Sequence, residues 1–506
     1  MPLLLRRAAR STAMGLSVWL SLSLAAGLVG ASAARAHAED PRPDIVVIYL
    51  DDVSPHDGRL WSEPERTPTL ADLFVETAST FSSAFGETPL CCPGRAATLT
   101  GLHTTSHGVD ANDVTLFDPR VTLATELQDS GYRTVYVGKF MNGLRSGVPR
   151  AKVRRYARGW DVFDIQYEDN GRFLDYALWT RDGIIRFGDR PRDHSTRVFG
   201  QRTAAHLRKA APGTPVFAFV SPVDLHAPNR PMEAFVGAPV CRAIEPWAPP
   251  NYNERDVSDK PAYVRERPRY GRPAWPMRRY CEEMLGVDRM VARIARVQEQ
   301  RGRLDDTLFI FTADNGSGWG AHRLGQVKGV PYATPIPLAV RWPARWGSTA
   351  RSIAEPVSNI DLAPTLCELA GCTLGPFPDG PVEADGLSLL PLLDGLATSL
   401  GRDAIREQSG PSLWTPEFWA LRTTPAHPLG LWHYIEYETG ERELYDSVED
   451  PWELENLAAD PARAAVVAEL AVRLRAEFPD LPGPPETPGA NDAPDTSGTP
   501  DPSPGA

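Results

Sequence analysis

The chain has 506 residues, with 53 Lys and Arg against 65 Asp and Glu, for a formal charge of −12. That length can bury a large core, and the acidic balance excludes a general electrostatic attraction to nucleic acid or other polyanions. An anionic substrate would need a local cluster of positive charge and metal, so a pocket is expected and not a basic patch.

In chain order, residues 1–38 read as an export signal. Arg6, Arg7 and Arg10 precede an apolar stretch from Met14 to about Val29, and small residues end in Ala36-His37-Ala38. Ser17, Ser21 and Ser23 dilute the stretch and a cleavage-like tripeptide follows it, which favours a removed signal over a membrane anchor. Cleavage after Ala38 is expected, placing the mature chain outside the cytoplasm, secreted or in the cell envelope, with no stable membrane insertion. The paired arginines leave the export route open. In an oxidising compartment Cys241 with Cys281, and Cys367 with Cys372, are candidate disulfides, whereas the adjacent Cys91 and Cys92 are poorly placed to bridge each other.

Asp44-Ile45-Val46-Val47-Ile48-Tyr49-Leu50 is a continuous apolar run of the kind that forms a strand buried on both faces, and it ends at Asp51-Asp52. Thr307 to Thr312 is a second, stopping at Ala313-Asp314-Asn315-Gly316. In open α/β sheets ligands bind beyond the C-terminal strand ends, so these two distant acidic segments are expected to meet. Further strands are predicted at Thr134 to Val137, Val216 to Val220 and Leu338 to Arg341, with helices at Leu123 to Ser130 and Glu282 to Arg301, an α/β alternation. Residues 227–276, rich in Pro and Arg, read as a long ordered insertion near a functional edge. From about residue 400 short aromatic strands follow, at Phe418 to Arg422, Leu431 to Tyr437 and Arg442 to Tyr445. A helix near Pro461 to Phe478 then starts from an Asp460 cap. The organisation predicted is a main domain over 39–398, an antiparallel subdomain over 399–479, and a Pro-rich tail over 480–506 too polar to order itself.

Aspartates after a strand ordinarily cap helices or make turns. Asp51, Asp52, Asp314 and Asn315 together nevertheless offer oxygen donors suited to a hard cation, calcium or alternatively magnesium, with no thiolate and imidazole cluster of the zinc type. Between them lies Pro89-Leu90-Cys91-Cys92-Pro93-Gly94-Arg95-Ala96-Ala97-Thr98-Leu99-Thr100-Gly101. Pro93 fits the first position of a helix that Ala96 to Leu99 continue. Residue 91 then stands at a helix N-terminus, where free amides and the helix dipole suit a tetrahedral anion and Arg95 adds charged donors. A buried cysteine pair ahead of a helix is the plain structural alternative.

The order Cys, any residue, Pro, any residue, Arg resembles the modification signature of the sulfatase family, in which the first cysteine is oxidised to formylglycine by a formylglycine-generating enzyme. Only from Cys91 do Pro and Arg fall two and four places on. The resemblance implies that one hydroxyl of the hydrated aldehyde attacks sulfur and the other expels sulfate. It also implies that Asp51, Asp52, Asp314, Asn315 and the modified Cys91 hold Ca2+, and that Arg95, Lys139, His226 and Lys328 grip sulfate or assist the leaving group. Lys139 lies in Gly138-Lys139-Phe140-Met141-Asn142, where many relatives carry a histidine at the place of Met141; Asn142 is a candidate substitute donor to substrate, a variation similar to the N-acetylglucosamine-6-sulfatase branch. His226 lies in His226-Ala227-Pro228, and Lys328 closes a segment from Trp319 in which His322 is a further candidate substrate contact. Gly94 stands where the family usually has serine.

The fold implied is an alkaline-phosphatase-like α/β sandwich around a mostly parallel central sheet, with a smaller C-terminal antiparallel sheet plus helix. The activity implied is hydrolysis of a sulfate monoester of a sulfated sugar or an aryl sulfate. A phosphodiester or phosphonate monoester hydrolase using the same nucleophile, and a non-catalytic binder of sulfated glycans, remain the alternatives.

Overall fold

The apolar runs ending at Asp51 and Asp314 lie side by side at the centre of the main sheet. The computed structural model describes residues 42–144, 149–167, 171–410 and 415–481; the expected export signal over 1–38 and the chain beyond 481 lie outside them. In chain order the strands are β1 Asp44–Leu50, β2 Ser79–Phe81, β3 Ala84–Phe85, β4 Arg133–Gly138, β5 Val162–Tyr167, β6 Tyr176–Thr180, β7 Gly183–Phe187, β8 Val216–Ser221, β9 Thr307–Ala313, β10 Leu338–Arg341, β11 Arg351–Ile353 and β12 Val357–Ser358. The four C-terminal strands are β13 Ala404–Ser409, β14 Phe418–Thr423, β15 Trp432–Tyr437 and β16 Arg442–Asp446. Ten of them form one sheet in the order β11-β2-β10-β9-β1-β8-β4-β5-β6-β7. Its centre, β9-β1-β8-β4-β5, is parallel. β1 and β9 bury every residue, which is why their sequences show no alternation.

Register decides what the strand ends deliver. Leu50 pairs with Ala313, so Asp51 and Asp314 emerge level with each other; Gly138 pairs with Ser221, so Lys139 and the segment leading to His226 emerge beside them. At the other end, buried Asp44 accepts from Val216 N (2.9 Å) and Gln298 Nε2 (2.8 Å) and pairs with Arg301, tying β1 to β8 and to the long helix behind the sheet.

The helices that matter here are α1 Cys91–Thr100, α2 Leu123–Asp129, α3 Ser195–Arg208, α4 Arg278–Gln300 and α5 Leu362–Ala370. The C-terminal sheet, β13-β14-β15-β16, is antiparallel throughout and carries α6, Ala464–Glu477. Asp460 accepts from Ala462 N at 2.9 Å, the expected cap, although a single 3-10 turn at Pro461–Arg463 precedes the α-helix. The fold class is therefore the α/β architecture with a C-terminal antiparallel sheet and helix. Unpredicted are β5 to β7, with a short helix at Arg150–Tyr156, the short strands β2, β3, β11 and β12, helices α3 and α5, and β13. Both predicted disulfides, Cys241 to Cys281 and Cys367 to Cys372, are formed, and Cys91 and Cys92 are free and buried. Among the described residues no helix is long and apolar enough to cross a membrane.

Candidate active site

Helix α1 is buried over its whole length and ends at Gly101, whose φ of 70° is a left-handed cap that glycine adopts without strain. It begins at Cys91, not Pro93, so the proline is its third residue; the first turn has no intrahelical N–H bonds to lose, and Pro is tolerated there. This start also narrows the expected anion cradle. Cys92 N donates to Asn112 Oδ1 at 2.9 Å and Gly94 N to Leu90 O at 2.9 Å, so neither amide is free. Asn112, twenty residues on, is a cap that no local motif announces.

The charge around Cys91 comes from side chains instead. Lys328 Nζ lies 2.9 Å and Lys139 Nζ 3.4 Å from Cys91 Sγ, and the thiol faces Asp51 Oδ1 at 3.5 Å. Lys139 also pairs with Asp51, and Lys328 donates to both Asp52 oxygens at 2.7 and 3.0 Å. Arg95 turns away from the sulfur. It donates to Asp314 Oδ2 through Nε at 2.9 Å, with Nη2 in an ion pair to the same oxygen at 2.8 Å, and donates to Ser221 Oγ at 2.7 Å and Lys139 O at 2.9 Å. It thus fixes Asp314 to the β4 and β8 ends, and Ser221 is a site residue that the sequence did not single out.

Asn315 Nδ2 donates to Asp52 Oδ1 at 2.8 Å. His226 Nε2 lies 3.7 Å from Asp52 Oδ2, and its Nδ1 faces Ala227 O at 2.5 Å. A carbonyl only accepts, so Nδ1 carries the proton and a neutral ring presents a bare Nε2 to the site. Burial keeps the ring neutral by pushing its pKa below the usual value, with Asp51 opposing.

Asn142 and His322 are the two residues expected to touch substrate. Asn142 approaches Cys92, not Cys91, donating its backbone N–H to Cys92 Sγ at 3.0 Å. His322 is fully buried, with Nδ1 2.6 Å from Glu254 Oε2, Nε2 3.5 Å from Asn251 Nδ2, and its ring 4.4 Å from that of Tyr332. Its exposed-loop sequence context gave no sign of this; it braces the segment that carries Lys328. Met141 is fully buried and contributes no polar group.

Ligand atoms of Asp51, Asp52, Cys91 and His226 all lie within 4.8 Å of one another, and Asn315 Oδ1 is buried with no partner among the described residues. Burial and the neighbouring Asp51 push Asp314 up to about 7 despite Arg95. Burial likewise opposes charge on Asp51, yet Lys139 and Arg95 hold it well below the usual carboxylate range. An orphaned amide oxygen facing crowded carboxylates is a donor set that fits a hard divalent cation. With a bound ion holding Asp314 ionised, three acids, Asp51, Asp52 and Asp314, would balance three cations, Arg95, Lys139 and Lys328, and the ion would give the pocket a surplus of two positive charges inside an acidic chain.

Gly94 has its own reason to lack a side chain. A Cβ there would lie 2.1 Å from Asp314 O, an approach no real Cβ makes. Gly94→Ser is expected to cost about 1–3 kcal/mol of stability through overpacking, read as a lower denaturation midpoint. A midpoint equal to that of the parent protein would show that the strand end yields without cost.

Comparison with known proteins agrees with this geometry. Residues 43–372 match the family model described as Sulfatase, and residues 332–478 match that described as N-sulphoglucosamine sulphohydrolase, C-terminal. An arylsulfatase of Volvox carteri is 28% identical over 90% of this chain and 77% of its own length. The N-acetylglucosamine-6-sulfatase of Homo sapiens is 28% identical over 73% of this chain and 68% of its own. Among solved structures, a protein in complex with D-glucosamine-2-N,6-O-disulfate superposes with a TM-score of 0.71 at 19% identity, covering 88% of this chain and all of that one.

Proposed function

Because the chain belongs to the sulfatase family and is a sulfuric ester hydrolase, we propose that it releases sulfate from a sulfated sugar, with the side chain of residue 91, oxidised to formylglycine, as nucleophile and with Ca2+ at the site. Asp51, Asp52, Asp314 and Asn315 would hold the ion, with residue 91 beside them; magnesium is the alternative. One observation carries the reading: Cys91 Sγ has two lysines within 3.4 Å and a carboxylate at 3.5 Å in a fully buried position. Burial nonetheless pushes the thiol up to about 12 against the pull of those lysines, so cysteine itself is a protonated, poor nucleophile at neutral pH.

When present, the hydrated aldehyde supplies one hydroxyl to attack sulfur and a second to expel sulfate, and the cation supplies charge neutralisation and a lowered hydroxyl pKa. The chain's own groups do the rest. Cys91 Sγ marks where those hydroxyl oxygens would stand. Lys139 and Lys328 bind and orient the sulfate oxygens over that point, donors set in place before charge develops. Arg95 positions Asp314. The bare Nε2 of His226 takes a proton on the open side of the site and can return it to the departing sugar oxygen.

The sugar preference rests on the glucosamine-type names of the relatives and of the solved complex. The two disulfides support an oxidising compartment and hence export. The test is mass spectrometry of the peptide holding residue 91, from protein produced with a formylglycine-generating enzyme. Sulfate release from glucosamine 6-sulfate is measured alongside hydrolysis of an aryl phosphodiester and an aryl phosphonate. An aldehyde at 91 with sulfate release fastest is expected. An intact thiol, or faster phosphodiester or phosphonate hydrolysis, would overturn the proposal.

A further inference from the structure

Three segments distant in sequence bring aromatic rings together, one of them in the turn that follows Asp52. His56 is the second residue of the 3-10 turn Pro55–Leu60 that follows Asp52, Trp247 belongs to the 227–276 insertion, and Trp452 follows β16. His56 stacks on Trp247 at 5.8 Å and 23° and meets Trp452 at 5.0 Å, while the two indoles are 5.9 Å apart. Arg59 lies over Trp247 at 4.3 Å. Unlike the core aromatics, Trp247 and Trp452 are only half-buried, and His56 is exposed.

The group is held rigidly. Trp247 exchanges both backbone hydrogen bonds with Trp275, at 2.9 and 2.7 Å. Asn251 Nδ2 donates to Trp452 O at 3.1 Å and reaches His322 Nε2 at 3.5 Å, linking the rings to the segment that carries Lys328. His56 lies four positions after Asp52, a reach of at most about 14 Å.

From this arrangement we infer that His56, Trp247 and Trp452 form a stacking platform for a second sugar ring of a sulfated oligosaccharide, next to the ring whose sulfate is removed. Rigid indole and imidazole faces take the apolar face of a sugar ring at little entropic cost and leave its hydroxyls in water. Arg59 places a positive charge beside that ring, the complement of a sulfated chain. The two indoles come from the insertion and the C-terminal segment, neither of which supplies a group to the nucleophile's pocket. The inference rests on the sulfated-sugar reading above and adds chain length to it.

The experiment compares Trp247→Ala and Trp452→Ala with the parent enzyme on a sulfated glucosamine tetrasaccharide, the sulfated monosaccharide and 4-nitrophenyl sulfate. Each variant is expected to lower kcat/KM for the tetrasaccharide about tenfold, mainly through KM, and to leave 4-nitrophenyl sulfate hydrolysis within twofold. Equal losses on all three substrates, or none on the tetrasaccharide, would overturn the platform. A separate arm titrates the tetrasaccharide by calorimetry into Cys91→Ala protein, with and without Trp247→Ala. Weaker binding in the double variant supports the platform even if no sulfate is ever released, an outcome that would sink only the sulfatase chemistry. Unchanged binding counts against the platform whatever the activity.

Discussion

Cys91→Ser is expected to abolish turnover, lowering kcat by at least about 10⁴-fold, on the scale seen when a nucleophile is removed from an enzyme. A serine oxygen at this position still faces Lys139, Lys328 and Asp51, so attack on sulfur remains geometrically allowed. Regeneration does not, because serine has no second hydroxyl to expel the sulfate. The variant should therefore show at most one equivalent of product alcohol per protein, followed by silence, while Cys91→Ala shows no burst. Rapid-quench measurement of released alcohol separates the two. Steady turnover by either variant would eliminate residue 91 as nucleophile. Both should stay folded, since the side chain changes little in volume, and the melting temperature checks this.

Removal of divalent ions is expected to have the second largest effect, about 10³-fold or more on kcat, because the ion would stabilise charge at the centre of the reaction. Activity should return with Ca2+ and less fully with Mg2+, whose small radius demands a tighter octahedron than a site of carboxylates and one amide provides. A readout independent of catalysis is thermal unfolding. At a free Ca2+ concentration of 100 Kd the folded state gains about 2.7 kcal/mol, visible as a higher melting temperature. Asp52→Asn should remove most of that gain. A chelated protein with full activity and an unshifted melting curve would defeat the assignment of Asp51, Asp52, Asp314 and Asn315.

How much of this was legible in the sequence depends on whether the information was local. β1 and β9 were legible because strands buried on both faces are apolar throughout, and their acidic ends stood out against those runs. β7, with an exposed centre, and β2, three residues long, carry too little pattern to be told from loop. Lys139, Lys328 and Cys91 were reached through motif resemblance, and the structure brings them within 3.4 Å. Ser221 and Asn112 were not singled out, since nothing adjacent to them says that they face Arg95 and Cys92 N. His322 shows the opposite failure: it sits in the expected segment, yet its ring serves Glu254 and Asn251. Gly94 looked like a weakness in a helix and is a requirement of the Asp314 carbonyl.

The burial of residue 91 sets a clock on biosynthesis. Its helix is closed in by Asp314, which lies 219 residues downstream of Arg95, so the segment is synthesised long before the strand that covers it. At ribosomal rates that interval lasts roughly 10 to 45 s, and during it position 91 is open to a modifying enzyme. In the folded chain the side chain has no solvent contact, so any enzymatic oxidation of this thiol is expected to precede closure of the fold.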